Sequence, residues 1–217
     1  MNFNIHGIFP TPVFFSNIGR EWTKKEQAFL KKQSESTHNN QGNTTSNDRY
    51  VLRSPEAKSM ADFVQKAVDQ YIDNVMFPKF RDQLEFYVTQ SWLNYTKPGQ
   101  FHHKHAHPNS IISGVFYIDA DETKDKIFFY KDGYQQIKFP TENFQLYNSE
   151  SWFFTVKTGD VVIFPSSLTH MVETKEGDNT RTSLAFNVFA KGYIGNEDEL
   201  TALQLHNAYT SPIHLKK

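Results

Sequence analysis

Cysteine is absent from all 217 residues. That excludes disulfides, thiolate metal ligands and a cysteine nucleophile, and it suits a reducing cytoplasm. An excess of one charge is also lacking: 23 Lys and Arg against 24 Asp and Glu leave a formal net charge of −1. A protein that binds nucleic acid by neutralising phosphates needs a basic surplus, so nucleic acid is not an expected partner. Nowhere do about 18 apolar residues run together, as a membrane span requires. The opening residues Met1 to His6 have neither the basic stretch nor the apolar run of a signal peptide, so a cytoplasmic location is expected. What the chain has is aromatic: 20 Phe, 10 Tyr and 3 Trp supply the large apolar faces of a sheet-rich core. Its length suits one domain, residues 1–217, and no repeat or linker divides it.

Residues 8–18 read as an opening strand bent by Pro10 and Pro12. Thr23, with Glu26 three residues later, has the spacing of a capping box and starts a short helix. Residues 34–48 carry almost no apolar side chain, so they read as a long surface loop. Gly42 and several Asn make this loop a candidate lid over the mouth of the fold. Should the segment lie elsewhere, the turns around Asp132-Gly133 and residues 143–149 are the alternative place for substrate recognition. Ser54-Pro55-Glu56 starts a second helix, with Ala57, Met60, Ala61, Val64, Ala67, Val68, Tyr71 and Val75 spaced along one buried face. From Leu84 the period changes to two, giving strands at 85–96, 110–118, 126–131, 151–157, 160–164, 169–174 and 181–190. The expected fold is mainly β, a sandwich, barrel or jelly roll braced by two N-terminal helices. Residues 1–83 would supply helical support and lid, 84–195 the core and 196–217 a C-terminal tail.

Four of the nine histidines fall in the run Phe101-His102-His103-Lys104-His105-Ala106-His107-Pro108, and His170 follows the segment Gly159 to Pro165. In extended chain His105 and His107 leave from the same side, so one metal could take both, with His170 as a distal third ligand. Imidazole is a common ligand for first-row metals, and three protein ligands leave positions open for reactive molecules. His103 and His105 have the same spacing. The His105/His107 pair is preferred because it leads directly into an apolar strand, while His102 and His103 read as solvated or supporting groups. Arg181, with Ser183 on the same strand face, is a candidate carboxylate receptor.

The series His105-Ala106-His107, His170 and Arg181-Thr182-Ser183 resembles the 2-oxoglutarate- and Fe(II)-dependent oxygenases. A set of these from marine bacteria and phages is similar over Ser91-Trp92-Leu93-Asn94, His107-Pro108-Asn109-Ser110, Ser113 to Tyr117, and Phe164-Pro165 up to Asn187. The resemblance implies a double-stranded β-helix, the jelly-roll core of these enzymes. It implies Fe(II) on His105, His107 and His170 as the catalytic centre, 2-oxoglutarate as cosubstrate with its distal carboxylate on Arg181 and Ser183, and O₂ as oxidant. Asn94 and Tyr117 are further candidates for cosubstrate contacts. The usual family pattern has a carboxylate where this chain has His107, which leaves the site one unit more positive; the 2-oxoglutarate dianion supplies compensating charge. The primary substrate is unknown, a homodimer is open, and a phage-encoded chain would act in the host cytoplasm. Two other readings remain: a cupin-type metalloprotein that does not use 2-oxoglutarate, and a non-catalytic jelly-roll binding module or phage structural protein. A cupin has no need of a buried Arg181.

Overall fold

The first strand, β1 (Phe14–Asn17), begins only after Pro10 and Pro12, because proline has no N–H to give a sheet; Ile8 and Phe9 before it are exposed. The computed structural model describes residues 1–79, 81–133, 137 and 139–205. Helix α1 (Lys24–Ser34) starts at the expected capping box, in which the Thr23 hydroxyl accepts from the Glu26 N–H and the Glu26 carboxylate accepts from the Thr23 N–H. Arg20 clamps the buried Glu26 through two hydrogen bonds of 2.8 and 2.7 Å, holding its carboxyl below the usual carboxylate range.

The polar stretch 34–48 differs from its loop reading. It forms a hairpin of β2 (Thr37–Asn39) and β3 (Thr44–Ser46), and β3 pairs with the long strand β4 (Leu84–Thr96). Its polar side chains explain why hydropathy missed it: Thr45 donates to the Leu93 carbonyl at 2.9 Å and Ser46 accepts from the Leu93 N–H at 3.0 Å. The segment is therefore a docked edge and not a loose flap.

Helix α2 (Lys58–Tyr71) follows a 3₁₀ turn at Pro55–Ala57, and buries Met60, Val64, Ala67, Val68 and Tyr71 as the spacing predicts. Ser54 makes no side-chain cap, and a π-helical turn at Ile72–Met76 shifts the phase so that Val75 is exposed. No described helix is long and apolar enough to cross a membrane.

The remaining strands are β5 (His102–His105), β6 (Ile112–Asp119), β7 (Lys126–Tyr130), β8 (Ser151–Thr155), β9 (Asp160–Pro165), β10 (His170–Val172), β11 (Arg181–Ile194) and β12 (Leu203–Leu205). Two antiparallel sheets result: one in the order β1-β9-β6-β11-β4-β3-β2 with β12 on β11, the other β5-β10-β7-β8. This is a mainly β fold with two helices, similar to the double-stranded β-helix. Within the 196–217 tail, β12 lies on the large sheet, and residues 206–217 are outside those described.

One core, with Met60, Val64, Leu93, Phe116, Leu184 and Phe186 at its centre, joins α2 to the outer face of the large sheet. A second, built from Tyr117, Ile127, Phe129, Val162 and Phe164, fills the space between the sheets. Gly114 makes room for the Phe186 ring of the first core, its cross-strand neighbour: a Cβ there would sit 2.2 Å from that ring. Gly114→Ala should therefore lower stability by about 1–3 kcal/mol in urea unfolding, the usual cost of overpacking a core.

Candidate metal and carboxylate site

Strand pairing brings the two histidine segments together. His105 lies opposite His170 in the β5–β10 ladder, and the His107 N–H donates to the Ser166 carbonyl at 2.9 Å just beyond the end of β5. The potential ligand nitrogens of His105, His107 and His170 lie within 4.8 Å of one another. Those of His102, His103 and His105 do so as well, so His105 belongs to both groupings. A register shift in the ladder sets Val172 against His102.

Hydrogen bonds decide which nitrogens face inward. His105 Nδ1 is 2.8 Å from the His103 carbonyl and His170 Nδ1 is 3.0 Å from the Leu168 carbonyl. A carbonyl only accepts, so each Nδ1 carries the proton and each Nε2 keeps a bare lone pair. The Asn187 side chain, whose oxygen accepts from Ser113 at 2.9 Å, lies beside His107 and favours its protonated form against the larger effect of burial. Burial pushes His107 down to about 4 and His170 down to about 3, so both rings are neutral near pH 7. His107 Nε2 and His170 Nε2 face each other at 3.3 Å. With the His107 ring in the tautomer that leaves its Nε2 bare, the pair presents two lone pairs to one cation. Two nitrogens each roughly 2.1 Å from a shared ion, in adjacent octahedral positions, lie about 3 Å apart. The donor set therefore fits a first-row metal.

The carboxylate side of the site comes from the large sheet. Ser183 on β11 lies opposite Asn94 on β4 and Tyr117 on β6, so these three are cross-strand neighbours, and Arg181 pairs with Thr96. Arg181, Ser183, Asn94 and Tyr117 line the same cavity as His105, His107 and His170, closed by the apolar Val115, Ile127 and Ala185. Arg181 is 2% exposed, and burial lowers its pKa from the ordinary guanidinium value. It donates to the Thr96 hydroxyl at 3.1 Å, while its Nε, the Tyr117 hydroxyl and the Asn94 side-chain oxygen are buried without a hydrogen-bond partner. Leaving such groups unpaired is costly, and an anionic ligand would pair the cation. The free volume is only about 30 Å³, room for one or two waters, so a diacid must displace rim side chains. Met171 is the most adaptable of them.

A wider cavity of about 850 Å³ lies next to this one. The Tyr130 hydroxyl on its wall donates to Met171 Sδ at 2.9 Å, linking the two cavities. The turn at Asp132-Gly133 and residues 147–149 also line it. The β2–β3 hairpin reaches the Arg181 side of the cavity, where Asn43 donates to the Thr96 hydroxyl at 3.3 Å and lies 3.5 Å from His102 Nδ1.

Sequence reasoning missed Asn187 as a partner of His107, and Thr96, Asp125 and Lys175 around Arg181. Thr96 was accessible through the alternation Trp92, Asn94, Thr96 on one strand face. Asp125 and Lys175 lie outside the strands, just before β7 and just after β10, where no periodicity signals direction.

A sequence model of the family described as "Putative 2OG-Fe(II) oxygenase" matches residues 90–187, somewhat under half of the chain. No curated protein matches by sequence. Among solved structures, a 2OG-Fe(II) oxygenase family oxidoreductase from Burkholderia pseudomallei aligns with TM-score 0.54 at 14% identity, covering 81% of this chain and 83% of its own. HygX from Streptomyces hygroscopicus, solved with nickel, 2-oxoglutarate and hygromycin B, aligns with TM-score 0.55 at 14% identity over 82% of each chain. The non-heme alpha ketoglutarate dependent epimerase SnoN from nogalamycin biosynthesis aligns with TM-score 0.57 at 8% identity, over 84% of this chain and 81% of its own. At such identities the likeness establishes the fold: the chain has the double-stranded β-helix architecture seen in 2OG-Fe(II) oxygenases.

Proposed function

We propose that this protein is an Fe(II)- and 2-oxoglutarate-dependent oxygenase whose iron is held by three histidines, of the histidine-only kind that its sequence resembles. The observation that carries this reading is the meeting, in one cavity, of the converging ring nitrogens of His105, His107 and His170 with a buried, incompletely paired Arg181. His105, His107 and His170 would hold the ion, the His105 and His170 rings being fixed from behind by the His103 and Leu168 carbonyls. This favours the His105/His107 register over His103/His105. Arg181 and Ser183 receive the distal carboxylate of 2-oxoglutarate, with Asn94 and Tyr117 beside it. The metal and cosubstrate supply an oxidant derived from O₂, as 2-oxoglutarate leaves as succinate and CO₂. The protein's part is orientation and exclusion of water, which Val115, Ile127 and Ala185 provide around the polar groups. The primary substrate occupies the wider cavity beyond Tyr130 and Met171.

The test is succinate formation with Fe(II), 2-oxoglutarate and ascorbate. Slow uncoupled turnover is expected, lost with a chelator and under nitrogen. Metal binding without any succinate would instead fit a cupin, and binding of neither ligand would fit a non-catalytic jelly roll.

A further inference from the structure

Behind Arg181 lies a second buried cation. Lys175 Nζ is 3.5 Å and Arg181 Nη1 is 3.8 Å from the same oxygen of Asp125, and all three side chains are at most 3% exposed. Asp125 is fixed from the other side, since its second oxygen accepts from the Asp121 N–H at 2.8 Å. Lys175 is held by Asn179 at 2.9 Å and by the Glu176 carbonyl. Neither cation makes a hydrogen bond to Asp125 at these distances. One carboxylate therefore serves two guests, and the three side chains together carry a formal charge of +1. With Asp125 and Arg181 alone the charges would cancel, and Arg181 would have little net attraction for an anion. Lys175 is the nearer cation to Asp125, and neither of the two lines the cavity that Arg181 enters.

We propose that Asp125 and Lys175 are positioning residues that set the net charge Arg181 presents to the cavity, and so select a dicarboxylate ligand. The proposal rests on the oxygenase reading only for which diacid is bound. Lys175→Met makes the group neutral, and adding Asp125→Asn restores its charge to +1.

The experiment is calorimetric titration of the nickel-loaded protein with 2-oxoglutarate, with melting curves and nickel affinity measured for each variant. Lys175→Met and Lys175→Gln should each weaken 2-oxoglutarate by roughly tenfold or more, as expected when one charge is removed a few ångströms from the ligand in a buried site. Asp125→Asn in the Lys175→Met background should bring the affinity back to within about threefold of the parent, since the charge at Arg181 is restored. Nickel affinity should stay constant throughout. A purely structural role would not give this rescue. The proposal is overturned if Lys175→Met binds as the parent does, or if a cooperatively melting double variant stays weak. Should the parent bind succinate or glutarate but not 2-oxoglutarate, the oxygenase reading fails, and the same variants decide the charge proposal with that diacid. If no diacid binds, both fail.

Discussion

His170→Ala is expected to abolish stoichiometric metal binding and all succinate formation. His170 is 4% exposed, its Nδ1 proton is committed to the Leu168 carbonyl, and its Nε2 faces His107. Losing a partner outside the ligand shell costs metal affinity about 10–100-fold, so losing one of three protein ligands should cost more than about 100-fold. The histidine is also buried, so His170→Gln, which keeps most of the volume, is the companion variant; both should melt cooperatively. His103→Ala separates the two groupings that share His105. With the ion on His105, His107 and His170, that variant binds metal as the parent does. Loss of binding in His103→Ala together with its retention in His107→Ala would move the site one register back. Nickel or cobalt titration by absorption reads both outcomes.

Arg181→Lys should weaken 2-oxoglutarate binding by about 10–100-fold while leaving metal affinity unchanged. A guanidinium can meet a carboxylate with two parallel N–H groups; an ammonium on a shorter stem offers a point charge. The site is buried and flanked by Thr96 and Asp125, so water cannot make good the lost contact. Ser183→Ala should cost less, about 1 kcal/mol for one neutral hydrogen bond. Calorimetry against the nickel-loaded protein measures both. An unchanged affinity in Arg181→Lys would remove the main ground for preferring an oxygenase to a cupin.

Much of this site was legible because strands alternate. Arg181 and Ser183 two residues apart, and Asn94 on a strand of matching period, could be placed on one face without knowing the fold. The capping box at Thr23 and the apolar stripe of α2 were equally local signals, and both give the expected helices. Legibility failed where tertiary pairing overrides composition. Residues 37–46 are polar, yet form a hairpin because Thr45 and Ser46 satisfy the backbone of β4. Val75 follows the helical spacing but falls after the turn widens. Asp125, just before β7, and Lys175, just after β10, come together because those strands pair antiparallel, a contact between residues 50 positions apart that no local pattern encodes.

The most direct test of the central claim is anaerobic titration with Fe(II) and 2-oxoglutarate, followed by visible absorption. A cosubstrate chelated to Fe(II) gives a metal-to-ligand charge-transfer band that neither component gives alone. The account expects this band to saturate at one iron and one 2-oxoglutarate per chain in the parent, to need far more 2-oxoglutarate in Arg181→Lys, and to vanish in His170→Ala. A parent protein that shows no band, or a band that survives His170→Ala, would contradict it.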